Sequence, residues 1–209
     1  MGYVTALAMK KPYSELIETT LLPQLGMTQS FIRVPEQHMS QYAWGYKADQ
    51  AMRVSAGMFD AEAYGLKSSS ADMLKFLDAQ INPQQFKQPL RQAIENTHVG
   101  YFKVGAMTQG LGWEQYAYPV ALETLLQGNS SKMALESHAI TAIKQPKLAT
   151  PATFFNKTGA TNGFGAYVAF IPQQKIGIVM LANTNFPNEE RIKASYRVMQ
   201  QLVQNNSAQ

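Results

Sequence analysis

Asn156-Lys-Thr-Gly-Ala-Thr-Asn-Gly-Phe-Gly-Ala-Tyr-Val-Ala-Phe-Ile-Pro172 is the stretch from which the fold reads outward. It runs from a polar triplet, Lys157-Thr158-Gly159, through a glycine-rich bend into an alternating strand. With Phe154-Phe155 before it and residues 176–182 after it, it predicts three successive strands over 154–157, 166–171 and 176–182. The four residues 172–175 between the last two suit an antiparallel hairpin. A helix over about 187–203 follows, with Ile192, Tyr196, Met199 and Val203 on one face and Glu189 and Glu190 in its first turn. Strands closed by a terminal helix predict an α+β layer, an antiparallel sheet with flanking helices.

Upstream the period is helical. Residues 12–22 place Tyr13, Leu16, Ile17 and Leu21 on one side, with Pro12 in a first turn and Pro23 and Gly26 as stops. Ser68-Ser-Ser-Ala-Asp72 reads as a helix start, followed by Met73, Leu74, Leu77 and Ile81 on one face, and Asn82-Pro83 closes that helix. Another short helix is expected over 89–96, and residues 54–67 read as loop. Residues 109–118 and 132–136 are expected as strands, and 147–153, flanked by Pro146 and holding Pro151, as loop or edge. The expectation is thus one domain, mostly helix and loop over about 1–105, then sheet and terminal helix over about 106–209.

Composition narrows the function classes. The chain has 209 residues, 45% hydrophobic and 15% charged, as in globular proteins that bury a sizeable core. The net charge of +4 is scattered over Lys10, Lys11, Lys67, Lys87, Lys132 and others, with no basic run interleaved with aromatics, so nucleic acid is not an expected partner. There is no cysteine, hence no disulfide and no thiolate metal site. The longest apolar run, 176–182, is far short of the ~20 residues of a membrane helix, so no membrane association is expected. No signal peptide is visible, and Ala6 breaks the myristoylation pattern. His38, His98 and His138 stand singly, without metal-ligand spacing, so neither metal nor cofactor is expected.

Three clusters carry candidate chemistry. A Lys-Thr-Gly triplet arises by chance in about one chain in twenty of this length, so context has to sharpen it. Here it ends a strand, and Gly159, Gly163 and Gly165 allow close approach to that edge. A carboxylate-bearing ligand lying along it as an added strand would meet the Lys157 ammonium and the Thr158 hydroxyl. Asn183-Thr-Asn-Phe-Pro-Asn188 follows the next strand; Asn185 and Asn188 read either as helix caps or as amide donors for a carboxylate. Asp60-Ala-Glu-Ala-Tyr-Gly65 offers a carboxylate pair for acid/base work, though Asp and Glu in a loop before a helix are more often structural acceptors, and Tyr64 is a ligand wall or, the commoner case, a core or loop anchor.

With those clusters the sequence resembles the class C serine β-lactamases, the cephalosporinases, over essentially its whole length. The segments that carry the resemblance are Tyr42-Ala-Trp-Gly-Tyr46, Asp60-Ala-Glu-Ala-Tyr-Gly65, Gln109-Gly-Leu-Gly-Trp-Glu114, Lys157-Thr-Gly-Ala-Thr161, Gly165-Ala-Tyr-Val-Ala-Phe-Ile-Pro172 and Gly177-Ile-Val-Met-Leu-Ala-Asn183. The resemblance implies the serine β-lactamase/D-Ala-D-Ala peptidase fold with part of its helical domain. It also implies acylation of a serine by a small-molecule β-lactam and hydrolysis of the acyl-enzyme, a resistance activity of a periplasmic, monomeric full-length protein. Lys157 and Tyr64 would then be the catalytic-site side chains of this chain. Lys157, Thr158, Gly159, Ala160, Asn185 and Asn188 would bind substrate, with the Ala160 N–H as an oxyanion donor. Residues 128–132 would border the leaving-group side; Ser131 and Asn162 imply no specificity.

The chain departs from that family's pattern in one respect. No serine is followed by lysine at the third position, and there is no Tyr-x-Asn or Ser-Asp-Asn. The expectation is a C-terminal portion of a longer protein that holds the substrate wall without the nucleophile and is inactive alone. A D-Ala-D-Ala peptidase or esterase of the same fold, or a non-catalytic ligand-binding remnant, are the alternatives. The DNA upstream of the first codon separates these.

Overall fold

The computed structural model describes residues 1–207. The chain divides into two compact units, one formed by residues 1–76 with 160–164 and 182–185, the other by 77–159, 165–181 and 186 onward.

The first unit opens with helix α1 (Gly2–Met9) and α2 (Tyr13–Leu16), which widens into a π turn over Ile17–Leu21 before α3 (Leu22–Gln24). Helical backbone therefore runs through the proline at 23 and stops at Gly26, whose φ of 70° only glycine adopts readily. A two-stranded antiparallel ribbon, β1 (Gly45–Lys47) and β2 (Gln50–Met52), was not expected, nor was α1. The expected loop over 54–67 contains a single helical turn, α4 (Asp60–Ala63). Carboxylates tie this unit together. Glu18 Oε1 accepts the N–H groups of Ile32 and Arg33 at 2.6 and 3.0 Å. Buried Asp72 accepts from the Gln29 N–H, the Ser30 hydroxyl and Lys75. Gly45 and Gly163 face each other so closely that a Cβ on either would lie within 3 Å of the other's backbone, which lets the Tyr46 N–H reach the Gly163 carbonyl at 3.1 Å.

Helix α5 (Ser70–Ile81) begins at the expected serines. Its buried side differs from the expected face: Leu74 is 52% exposed, while Asp72, Leu77 and Gln80 are buried. The second unit continues with α6 (Leu90–Thr97), β3 (Val99–Val104), β4 (Met107–Gly110), β5 (Glu114–Ala117), α7 (Leu122–Gly128), α8 (Ser131–Leu135), β6 (Thr141–Leu148), β7 (Thr153–Thr161), β8 (Phe164–Ile171), β9 (Ile176–Ala182) and α9 (Asn188–Ser207). The sheet order is β6-β3-β4-β5-β7-β8-β9, with the β6–β3, β3–β4, β4–β5 and β5–β7 pairs antiparallel. The α+β expectation of an antiparallel sheet with flanking helices is met.

Two strand expectations are corrected here. The single strand over 109–118 is a hairpin, because Gly112 turns at a φ of 100° and the Gly110 N–H closes on the Trp113 carbonyl at 2.8 Å. Residues 132–136 are not a strand but lie in α8, whose N-cap Ser130 hydroxyl accepts the Met133 N–H. The loop or edge expected over 147–153 is met: it begins as the end of β6, an outer strand where Pro146 removes no interior ladder bond, and continues as loop to 152. β3 also lies inside the stretch expected to be helix and loop. The strands expected at 154–157, 166–171 and 176–182 are present and longer or equal, the last two joined by a 3-10 turn over Pro172–Gln174. Their core includes Phe154, Tyr167, Ala169, Ile171 and Ile176 with Ile192 and Met199 of α9. Each such side chain of Leu, Ile, Met or Phe size contributes about 1.5–3 kcal/mol on full burial.

Candidate functional site

The open end of β7 is built by a mismatch in strand length. β5 pairs with β7 only from Ala117↔Thr153 to Glu114↔Asn156. β7 runs on to Thr161, so Lys157, Thr158 and Gly159 lie past the end of β5. The Ala152 carbonyl accepts the Tyr118 N–H at 3.1 Å, which fixes the parity of the strand: even-numbered residues turn their backbone groups toward β5. Beyond Asn156 those are Thr158 and Ala160, whose N–H and C=O therefore face the side on which β5 has ended. An open edge of this kind pairs an extended ligand.

A polar ladder in the second unit supports that end from behind. Asn156 is fully buried. Its Nδ2 donates to Glu114 Oε2 at 2.9 Å, and its Oδ1 accepts from the Tyr167 hydroxyl at 3.1 Å and from Asn129 Nδ2 at 3.0 Å. The other Glu114 oxygen accepts from Lys157 Nζ at 2.9 Å. Asn129 also donates to the Leu125 carbonyl, and its own carbonyl accepts Asn188 Nδ2 at 2.8 Å. A continuous chain of contacts thus runs from the start of α9 to the Lys157 ammonium. Lys157 is about half exposed, its partner Glu114 12%. An ammonium has three donors; with one on Glu114, two remain for an incoming anion. Burial, with Glu114 nearby, pushes the Tyr167 and Tyr116 hydroxyls well above the ordinary phenol range, so both stay protonated.

Arg191 of α9 reaches the β7 backbone. Its Nη1 donates to the Gly159 carbonyl at 2.8 Å and to the Ala166 carbonyl, and its Nε to the Phe186 carbonyl at 3.1 Å. Burial lowers its pKa.

The remaining sequence-derived candidates fall as follows. In the first unit Asn185 Oδ1 accepts the Gly163 N–H at 2.6 Å and so holds the bend between β7 and β8. Asp60 forms a two-pronged ion pair with Arg33, and that hydrogen bond to the guanidinium holds its carboxyl below the usual range. It is a structural acceptor, not half of an acid/base pair with Glu62. Tyr64 is 40% exposed at the end of α4 and lines, with Tyr13, Leu22, Ile32 and Phe76, an apolar cavity of about 310 Å³ within that unit. In the second unit Asn188 joins the ladder above. His98 is buried, while His138 Nε2 contacts the Lys132 carbonyl at 3.1 Å. Among the described residues no three His, Cys, Asp or Glu side chains are grouped to hold a metal, and no helix is long and apolar enough to cross a membrane.

Sequence reading passed over Asn156, Glu114 and Arg191 as site residues, and reached Asn129 only as one position of the 128–132 segment. Asn156 carries a readable signal: it shares the Phe154 face of an alternating strand, where an amide has to find partners. Arg191 lies beside the Ile192–Met199 face, a position at which an arginine is buried only with acceptors to satisfy it.

Residues 1–203 match the family model described as Beta-lactamase. A beta-lactamase of Pseudomonas fluorescens is 47% identical over 204 residues, spanning 97% of this chain and 57% of the relative. A solved D-alanine carboxypeptidase from Burkholderia cenocepacia superposes with a TM-score of 0.93 at 48% identity, over 96% of this chain and 58% of that one. A solved class C beta lactamase gives 0.89 at 45% identity, over 95% and 55%. The chain spans about half the length of the curated relatives it matches.

Proposed function

The chain belongs to the beta-lactamase family, and we propose that its β7 end is the substrate-binding wall of a class C serine β-lactamase. In this reading the β-lactam lies along the edge that β5 leaves open, its amide groups pairing with the Thr158 and Ala160 backbone. Its carboxylate takes the free donors of Lys157, with Thr158 beside them; Asn188 fixes the start of α9, and Asn185 holds the bend after β7. A serine hydroxyl attacks the lactam carbonyl, the ring C–N bond breaks with the proton going to nitrogen, and water then hydrolyses the ester. The Ala160 N–H donates to the oxyanion formed in both steps. Tyr64 flanks the acyl side chain. The observation that carries the reading is the open edge at Thr158 and Ala160 next to a half-exposed ammonium.

These 209 residues contain no Ser-x-x-Lys, so the chain by itself is inactive in this reading. Turnover of a chromogenic cephalosporin by the purified chain, lost on Lys157→Ala, refutes that inactivity. The wall itself is tested in a chimera in which residues 1–203 replace the matched part of the Pseudomonas fluorescens relative. Hydrolysis of the cephalosporin, with loss of at least about 100-fold in kcat/KM on Lys157→Ala, is expected. A chimera that folds, keeps the relative's serine and hydrolyses nothing overturns the proposal. The similar structure named as a D-alanine carboxypeptidase favours a second reading on the same wall; release of D-alanine from a D-alanyl-D-alanine peptide, without cephalosporin turnover, selects it. A periplasmic location and a monomeric state complete the proposal.

A further inference from the structure

Arg191 is an unusual use of a cation. Its residue surface is 3% exposed, and among the described residues no carboxylate forms an ion pair with it. A buried charge is costly unless surrounding dipoles satisfy it. Here three backbone carbonyls do so, those of Gly159, Ala166 and Phe186. They belong to β7, to β8 and to the segment that leads into α9. Space has been cleared for the guanidinium: a Cβ on Gly165 would lie 3.2 Å from both its Cζ and its Nε. That is tighter than ordinary van der Waals contact, so the glycine and the arginine form one device.

The parity of β7 gives this device a consequence at a distance. Gly159 turns its carbonyl to the β8 side, where Arg191 takes it. Its neighbours Thr158 and Ala160 turn theirs to the open side. A peptide plane is rigid, so fixing the Gly159 carbonyl fixes the plane it shares with the Ala160 N–H. We propose that Arg191 is a positioning residue: by clamping the Gly159 carbonyl against β8 it sets the direction of the Ala160 N–H on the opposite edge. The inference rests on the reading of that edge as a substrate wall only for its kinetic consequence; the clamp stands on the contacts alone.

Amide hydrogen exchange on the full chain tests the clamp directly. In Arg191→Met the 157–160 segment exchanges at least about tenfold faster, while β3 and β4 are unchanged. Gly165→Ala, which presses on the guanidinium from its other side, moves the same segment in the same direction. Arg191→Lys, which keeps a donor for Gly159, recovers part of the protection. Unchanged exchange at 157–160 in a folded Arg191→Met chain overturns the proposal, and so does a uniform acceleration of the whole sheet. If Arg191→Met does not fold, the same comparison is decided by Gly165→Ala and Arg191→Lys. In the chimera described above, Arg191→Lys lowers kcat by about 10- to 100-fold, less than outright removal of an oxyanion donor, with KM moved far less. A kcat unchanged per folded molecule overturns the positioning role. A chimera inactive before any substitution counts against the substrate-wall reading instead, and exchange in the full chain still decides the clamp.

Discussion

Lowering the pH from neutrality should destabilise this chain through one buried imidazole. His98 is 7% exposed and sits 4.8 Å from the Phe155 ring and 5.6 Å from Phe170, which stack on each other at 4.6 Å. Its Nε2 lies 3.0 Å from Gln80 Oε1, the same oxygen that accepts the Trp113 indole N–H at 3.2 Å. That oxygen can only accept, so Nε2 carries a proton, and burial keeps the native imidazole in its neutral form. Burial pushes its pKa down to about 4. The folded state therefore binds fewer protons than the unfolded one between about pH 6.5 and about pH 4, and stability is full above that window and lost as the pH falls through it. A gap of about 2.5 units corresponds to about 3 kcal/mol, of which about 2 kcal/mol is gone by pH 5. The carboxyls held low, Asp60 and Asp72, act later: their stabilisation is present above the ordinary carboxylate value and fades as pH falls below about 4. Urea titrations followed by circular dichroism and tryptophan emission, at about pH 7 and about pH 5, read the difference. His98→Phe removes the titration and leaves Trp113 and the Thr97 hydroxyl as donors to Gln80. Its stability should be flat across that window, whatever its absolute value. The same loss in His98→Phe as in the unsubstituted chain refutes the assignment to His98.

Three further outcomes follow from contacts of the second unit. Asn156→Leu strips partners from Glu114, Tyr167 and Asn129 at a fully buried position; it should cost about 2–4 kcal/mol by urea denaturation. Glu114→Gln keeps an acceptor for Asn156 and removes only the ion pair to a half-exposed lysine. It should cost no more than about 1 kcal/mol in the same assay, with less dependence on salt than the unsubstituted chain. Gly128→Ala would place a methyl 1.9 Å from the hydroxyl of buried Tyr116; the overpacking should lower stability by about 1–3 kcal/mol, measured as a shift in urea midpoint at unchanged slope.

What the sequence made legible follows the range over which each cause acts. Strand β8 is legible as a strand but not as the alternating one expected: Tyr167, Val168, Ala169, Phe170 and Ile171 are buried in succession, as a strand covered on both faces requires. α9 reads because Ile192, Tyr196, Met199 and Val203 recur at helical spacing over the core. α8 misreads because Met133 and Leu135 in a five-residue segment suit either period; the Ser130 cap decides it, and a cap is a single residue. α1 offers no periodic signal at all, since none of its residues is buried. The candidate site divides in the same way. Lys157, Thr158 and Gly159 stand out as a triplet, and the bend after them is visible in its glycines. The supports of that triplet are remote: Glu114 lies 42 residues from Asn156, Asn129 27 residues from it and 59 from Asn188, and Arg191 32 from Gly159. No local pattern can announce such partners, because each is ordinary in its own segment and acquires its role only when strand order brings β5 and α9 to β7. The open edge is the clearest case. It depends on β5 being only four residues long and on the Tyr118–Ala152 bond that fixes parity, so the direction of the Ala160 N–H is a property of the register rather than of any residue type.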